Sequence, residues 1–421
     1  MRIVPRPLMM LAFIVAASPP GFALAQENAQ TVGSTPPVSV PAERTLTLSG
    51  PRGTVSVYGS LHLDLESIRL PGAAPATGLN LSRTRVNTNA SNFGFRATSK
   101  PLWNDVNAWL QAENAISPDA GGGTLVGRNS GVGLASKTYG TLFLGQWDVP
   151  YKLTTGRFDP FSDTTIGSYS AIIGGGGAPT SPNATGDAAT RASFDRRQPN
   201  IVQYWSPDFS GISAKVAVGV NEERTAATNP LLLSASLAYD NKRLYVFGAV
   251  ERHQDYGALE ALFNRPAAEL AAARGNDDAV KVGAEYRIGA TGFRVAGLYE
   301  MLKYRSDGLA LERKVNNWYL TGTYEMGKHM LSVGHSEKAN DTLSGNVAAV
   351  GRSAGEQIDT GAKHNTLRYA YELGLQITVY VMAVRLVNEA RQNKTLGGGA
   401  FATVPLGADP QGFGVGLRFR F

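Results

Sequence analysis

An alternation of period two begins at Val55 and recurs, segment by segment, to the last residue, and it limits what this chain can become more than any other feature. Val55, Val57, Gly59, Leu61, Leu63 and Leu65 fall on one face of an extended segment, and Ser56, Tyr58, Ser60, His62, Asp64 and Glu66 fall on the other. A helix repeats every 3.6 residues and would scatter these side chains around its circumference, so one apolar face against one wet face means a strand. The pattern returns in 106–113, 212–220, 280–287, 317–324 and 366–372. It closes with Phe413, Val415, Leu417, Phe419 and Phe421 opposite Gly414, Gly416, Arg418 and Arg420.

With the weaker runs included, strands are expected near 54–66, 89–99, 104–114, 127–136, 140–147, 199–206, 211–220, 231–240, 243–252, 278–288, 291–301, 315–326, 328–336, 364–373, 375–386 and 411–421. The connections alternate in length. Tight turns such as Tyr239-Asp240-Asn241-Lys242, Ile288-Gly289-Ala290-Thr291 and Glu325-Met326-Gly327-Lys328 carry Gly, Asn or Asp, whereas 67–88, 148–198, 253–277 and 337–363 are long and polar. An even number of strands, with short turns at one end and long loops at the other, is the layout of an all-β, transmembrane antiparallel 16-stranded β-barrel. A soluble sandwich also alternates but has no reason to sort its loops by length. After the N-terminus no run of eighteen apolar residues occurs, which excludes spanning helices but not strands that meet lipid with every second side chain. Tyr239, Tyr286, Tyr299, Tyr324, Tyr369 and Tyr371 sit near strand ends with outward parity, where an aromatic girdle would rest.

The first 25 residues carry Arg2 and Arg6, an apolar run from Leu8 to Ala17 and then Ala23-Leu24-Ala25, the pattern of a cleaved signal peptide over 1–25. Its removal leaves 38 basic against 34 acidic residues, a net of +4. Residues 26–52 are rich in Pro, Ser and Thr and have no period, so they read as a flexible N-terminal leader before a barrel domain at 53–421. With no cysteine in the chain, disulfides, thiolate chemistry and Cys-ligated metals are excluded. The basic residues are spread along the chain rather than clustered, unlike a nucleic-acid-binding patch.

Five segments, in order, resemble the general Gram-negative porin family, especially its trimeric sixteen-stranded type. Val55-Ser-Val-Tyr-Gly59 is similar to the family's first strand, and Ser91-Asn-Phe-Gly-Phe-Arg96 with Leu102 to the second strand and its turn. Arg128-Asn-Ser-Gly-Val-Gly-Leu134 with Tyr139-Gly-Thr-Leu-Phe-Leu-Gly145 resembles the hairpin before the constriction loop, and Asn200-Ile-Val-Gln-Tyr-Trp-Ser-Pro207 with Phe209-Ser-Gly211 the strand after it. Gly416-Leu-Arg-Phe-Arg-Phe421 resembles the closing strand, whose terminal aromatic, here Phe421, the resemblance implies is an assembly signal read by the barrel-assembly machinery. Asn92 and Gln146 stand where the family often has a base, and Ser99-Lys100-Pro101 replaces an acidic turn.

The resemblance implies a homotrimer in the outer membrane of a Gram-negative bacterium, contacting outer-membrane lipid and lipopolysaccharide, with a water-filled channel for ions and small hydrophilic solutes. A barrel this wide needs something to narrow it, and 148–198 falls where the family folds a loop inward. Acids on such a loop, here Asp159 and Asp163, would face wall bases across the constriction, with Arg96, Arg128 and Arg197 as the candidates. Arg128 does not share the parity of Val132 and Leu134, and a bulge would be needed to re-aim it. Lys215, Lys281, Arg294, Arg368 and Arg418 are expected along the lumen wall. This basic bias leads us to expect a mild anion preference. Tyr151, Phe158, Phe161 and Tyr169 would either anchor the loop or form a stacking track in a solute-specific channel.

Catalysis finds little support. The five His residues show no paired metal-ligand spacing, Gly-x-Ser-x-Gly is absent, and Gly174–Gly177 lacks the Lys-Ser/Thr of a phosphate loop, so neither a cofactor nor a metal is expected. His62 and Asp64 share the inward face with Ser60, but polar residues belong in a lumen anyway.

Overall fold

A computed structural model describes residues 46–71, 82–161, 163–175, 191–220, 222, 224–374, 376–397, 399–401 and 404–421. The expected signal peptide and most of the leader lie outside the described residues. In chain order the barrel strands are β1 Gly53–Arg69, β2 Ser82–Thr88 with Asn92–Ser99, β3 Asn107–Ile116, β4 Gly123–Thr124 with Ser130–Ser136, β5 Gly140–Asp148, β6 Arg197–Trp205, β7 Ile212–Gly219 and β8 Leu231–Asp240. They continue with β9 Leu244–Gln254, β10 Asn276–Ile288, β11 Phe293–Ser306, β12 Leu311–Met326, β13 His329–Lys338, β14 Ala362–Glu372, β15 Ile377–Asn388 and β16 Gln411–Arg420.

Each strand pairs antiparallel with the next, and β16 pairs back on β1 from Ser60↔Arg420 to Arg69↔Gln411. The sheet is therefore a closed ring of sixteen strands. Parity sorts the side chains as the alternation requires. On β1, His62, Asp64 and Glu66 are buried toward the lumen, while Leu61 and Leu65 are exposed on the outside.

All sixteen strands lie where the alternation places them, but several extend further outward. β1 continues to Arg69, and β11 and β12 pair up to Ser306↔Leu311. Beyond the apolar band the outward positions are ion pairs, such as Lys303 with Glu312 at 2.8 Å and Arg252 with Asp278 at 2.6 Å. Cross-strand charge pairs continue a ladder as well as apolar pairs do, yet they erase the apolar rhythm by which a strand is read. Part of the expected loop 337–363 is likewise a hairpin, Asp341–Gly345 with Gly355–Gln357, continuing the sheet beside β12.

The leader departs from the expectation in its last residues. Leu46–Gly50 forms a short strand on β1, from Leu46↔Val57 to Gly50↔Gly53. It occupies the edge of β1 that β16 leaves when the chain ends: Phe421 exchanges both backbone hydrogen bonds with Gly59, at 2.8 and 3.0 Å, and the arm begins two residues further along. An otherwise open edge explains why a segment without hydrophobic period becomes a strand.

Two interruptions re-aim side chains. Between the pairs Leu63↔Thr88 and Ser60↔Asn92, β2 carries one residue more than β1, with Ala90 at φ 52°. Between Ala115↔Thr124 and Gln111↔Gly131, seven residue steps on β4 face four on β3. That large bulge carries Arg128 and Asn129 inward, as the parity of Arg128 required.

A Cβ on Gly59 would lie 2.5 Å from the Phe421 ring and 2.8 Å from the Asn92 carbonyl oxygen. Gly59→Val should therefore weaken the closing pair by about 1–3 kcal/mol. The expected result is a lower temperature for the folded-to-unfolded mobility shift on gel electrophoresis; an unchanged temperature would show that Phe421 does not pack there.

Candidate functional site

Residues 149–161 and 163–175 turn inward after β5, and a bulge starts the turn. Gly145, at φ 150°, shifts the β5–β6 register so that Trp147 and Asp148 face Gln198 and Arg197. The helix α1, Pro150–Gly156, follows with proline in its first turn. From there the described part of the loop is tied to one strand after another. The Tyr151 amide donates to Ser234 on β8 at 3.1 Å, and Arg157 pairs with Asp240 at 2.5 Å. Lys281 on β10 donates to Thr155 at 2.6 Å, Tyr319 on β12 to Asp159 at 2.5 Å, and Arg368 on β14 to the Pro160 carbonyl at 2.6 Å. Asp163 meets Arg418 on β16, and the Asn87 side chain on β2 donates to Thr165 at 2.6 Å. The chain then returns, and the Gly174 amide donates to Glu300 on β11 at 2.7 Å.

This path makes the loop a shelf along the β8–β16 side of the lumen. The β2, β4 and β6 wall opposite carries the three arginines expected at the constriction. Arg96 donates to Gln111 at 2.5 and 3.1 Å and lies over the Tyr58 ring. Arg128 reaches Glu113 at 2.5 Å, and Glu113 also accepts from the Tyr58 hydroxyl at 3.0 Å. Arg197 donates to Asn129 at 2.7 Å and lies 3.4 Å from Asp148, which Lys152 approaches to 3.0 Å. The side chains of Arg128 and Arg197 are 23% and 20% exposed, enough to reach water in the lumen.

The remaining candidates divide by burial. Asp163 keeps 31% of its side chain exposed; burial works against its charge, but Arg418, helped by Arg420 and Arg128, holds its carboxyl well below the usual range. Asp159, expected beside it on the acid side, does not face the pore. It is 1% exposed beneath the loop, accepting from Tyr319 and the Phe161 amide, and burial pushes its carboxyl up to about 7. Lys281 and Arg368 do not line open wall either, since the loop covers both and each is spent on holding it. Lys215 rests on the Trp205 ring and is largely buried, and Arg294 bridges Glu325 and Glu285 toward the short-turn end. Arg418 also donates to Ser60 at 3.1 Å, so the Ser60 hydroxyl is engaged there rather than with His62. His62 instead lies 2.7 Å from the Tyr380 hydroxyl, which donates to Asp64.

The loop aromatics are anchors. Tyr151, Phe158, Phe161 and Tyr169 are all buried, with Phe158 and Tyr169 stacked on Tyr319 and Phe161 seated over Gly334, where a Cβ would come within 2.6 Å. A stacking track facing solutes is thereby excluded for these four. Sequence reasoning missed Asp148 and Lys152 as members of the charged arc, because the Gly145 bulge breaks the parity that would have placed them. Glu113 falls at an inward-parity position of 106–113, but nothing local in the sequence marks it as the partner of Arg128. Also unforeseen was an interlocked cluster of Trp109, Phe143, Trp147 and Trp205 on the inner face of the wall, with ring centroids 5.1–6.2 Å apart.

Comparisons with known proteins agree with this arrangement. The profile described as Gram-negative porin matches residues 11–391. Outer membrane porin protein 32 of Delftia acidovorans is 25% identical over 384 residues, covering 88% of this chain and 95% of that protein. Among solved structures, an anion-selective porin from Comamonas acidovorans superposes with a TM-score of 0.68 at 22% identity, covering 88% of this chain and all of that one. The in-vitro folded trimer form of OmpT from Vibrio cholerae gives 0.57 at 16% identity, covering 88% of this chain and all of that one.

A carboxyl whose folded value is raised stabilises the fold below its unfolded value of about 3.9, and that contribution fades as pH rises through the folded value. With Asp159 at about 7, the loop should be held most firmly in acid and loosen as pH rises through neutrality. Single-channel closing events should become more frequent over that range, and Asp159→Asn should flatten the profile. An equally steep profile in the variant would remove Asp159 from the explanation.

Proposed function

The chain belongs to the Gram-negative porins, and from that premise we propose that its channel carries a mild preference for small anions, set by the arc of Arg96, Arg128 and Arg197. As a member of this family it is an outer-membrane barrel forming a water-filled passage for passive diffusion of ions and small hydrophilic solutes. The observation that carries the selectivity is a charge count at the narrowing. Among the described residues, Arg96, Arg128, Arg197 and Lys152 on that side stand beside Glu113 and Asp148, while Asp163 and Arg418 balance each other on the shelf. An excess of fixed positive charge concentrates anions and repels cations in a narrow aqueous passage. The anion-selective description of the Comamonas porin supports this reading.

General diffusion is favoured over a solute-specific site because the loop aromatics are turned into the wall. The chain works as a channel and not as a catalyst in this reading. Its assembly is a homotrimer, supported by the trimer form of the Vibrio protein. Phe421 presents its backbone and ring at the closing edge, where the barrel-assembly machinery would read it, and lipopolysaccharide would surround the outer rim. Unheated electrophoresis of the purified protein should show a trimer band that collapses to monomer on boiling.

In planar bilayers under a salt gradient the reversal potential should have the sign of anion preference. Arg197→Glu or Arg128→Glu should lower the anion-to-cation permeability ratio about twofold or more. Arg252→Gln, on the outer face of β9, should leave it unchanged. The preference should also shrink as salt rises from about 0.1 M to 1 M, because the screening length falls from about 10 Å to about 3 Å. A cation preference in the unaltered protein would overturn the proposal.

A further inference from the structure

The outer wall is not uniform. On β7 the outward positions Ile212, Ala214, Val216 and Val218 are all apolar, as are Val280, Val282 and Ala284 of β10. On β13 only Leu331 and Val333 separate His329 from His335. Six residues of a strand tilted near 40° descend about 15 Å, well short of the roughly 25 Å apolar band of an outer-membrane barrel. His335 is the start of a polar row that crosses three strands, because the register sets it opposite Asn365 and sets Asn365 opposite Arg385. The His335 Nδ1 and the Asn365 Oδ1 lie 2.7 Å apart.

Directly below this row the wall is hollow. Gly322 on β12 has no side chain, Ala383 on β15 has a small one, and a groove of about 600 Å³ runs between Leu320, Val333 and Leu367 with the polar row as its roof. The basic groups of the roof reach out further than their partners. Arg385 is 60% exposed while Asp409, 3.6 Å away, is 23% exposed, and Lys363 is 53% exposed against 30% for Glu337.

We propose that this groove binds a lipid of the outer leaflet with a net-anionic phosphate headgroup, with one acyl chain lying along Gly322 and the phosphate against Arg385. Polar groups sunk into the apolar band must meet something polar at that depth, and presented cations select an anionic headgroup. A hollow beneath them calls for a flexible apolar chain. The convex wall of a second barrel would bridge the hollow and leave it empty. The inference rests on the outer-membrane setting and is independent of the anion preference of the pore.

Native mass spectrometry of the detergent-solubilised protein titrated with lipid A tests it, with phosphatidylcholine as the neutral-headgroup comparison. The unaltered protein should retain lipid A through delipidating washes and release phosphatidylcholine. Gly322→Leu, which fills the groove, and Arg385→Gln, which removes the headgroup contact, should each weaken retention at least about tenfold. Gly248→Leu, at an outward position of β9 where an added Cβ meets nothing within 4 Å, should retain it fully and shows that a new leucine on the wall does not itself matter. Heat-shifted gel mobility verifies that each variant is folded. No retention by the unaltered protein, equal retention by Gly322→Leu, or a change of oligomer number in Gly322→Leu with lipid retention intact would each overturn the proposal.

Discussion

Backbone hydrogen bonds have no water to fall back on inside a bilayer, and a sheet survives there only if its two edges find each other. In this chain that meeting is β16 on β1, ten paired residues ending where Phe421 and Gly59 exchange backbone bonds. Once the ring is closed, parity has only two destinations, lipid and lumen. A ring of sixteen strands leaves a lumen too wide to fill with wall side chains alone. The inward loop, its anchors and the charged arc all answer that one consequence.

Charges inside the barrel do two different kinds of work, and burial separates them. Lys281, Arg368 and Glu300 are covered by the loop, where a group without a partner would be costly, and each bonds a loop atom, while Asp159 on the loop accepts from Tyr319 of the wall. They fix the shelf. Arg128, Arg197 and Asp163 keep part of their surface in water, where a charge is cheap to hold and its field reaches a passing ion. The same residue type is thus a fastener on one side of the lumen and stays open to water on the other.

Glycine has matching uses where close approach is required. Gly334 admits Phe161 beneath the loop, Gly59 admits Phe421 at the seam, and Gly145 takes a φ of 150° to start the inward turn. None of these positions stands out in a chain with 48 glycines, since each depends on a neighbour far away in sequence.

Period-two alternation in the sequence by itself determined the strand number, the order, the inside and the outside, because side-chain direction in a strand is a local property of the backbone. It also placed Arg96, Arg418 and Glu113 inward. Where the backbone stays regular, parity is enough. Tertiary structure alone decided what each lumen group faces. The β4 bulge turned Arg128 and Asn129 into the pore, the Gly145 bulge brought Asp148 and Lys152 to Arg197, and the route of the loop buried Asp159 and Lys281 while leaving Asp163 at the water. Bulges and loop routes are settled by contacts between strands distant in the chain, and a one-residue shift reverses a side chain's face. The sequence therefore specified a barrel with polar and charged inward positions, and the packing of one loop against its wall decided which of those charges are covered and which stay at the water.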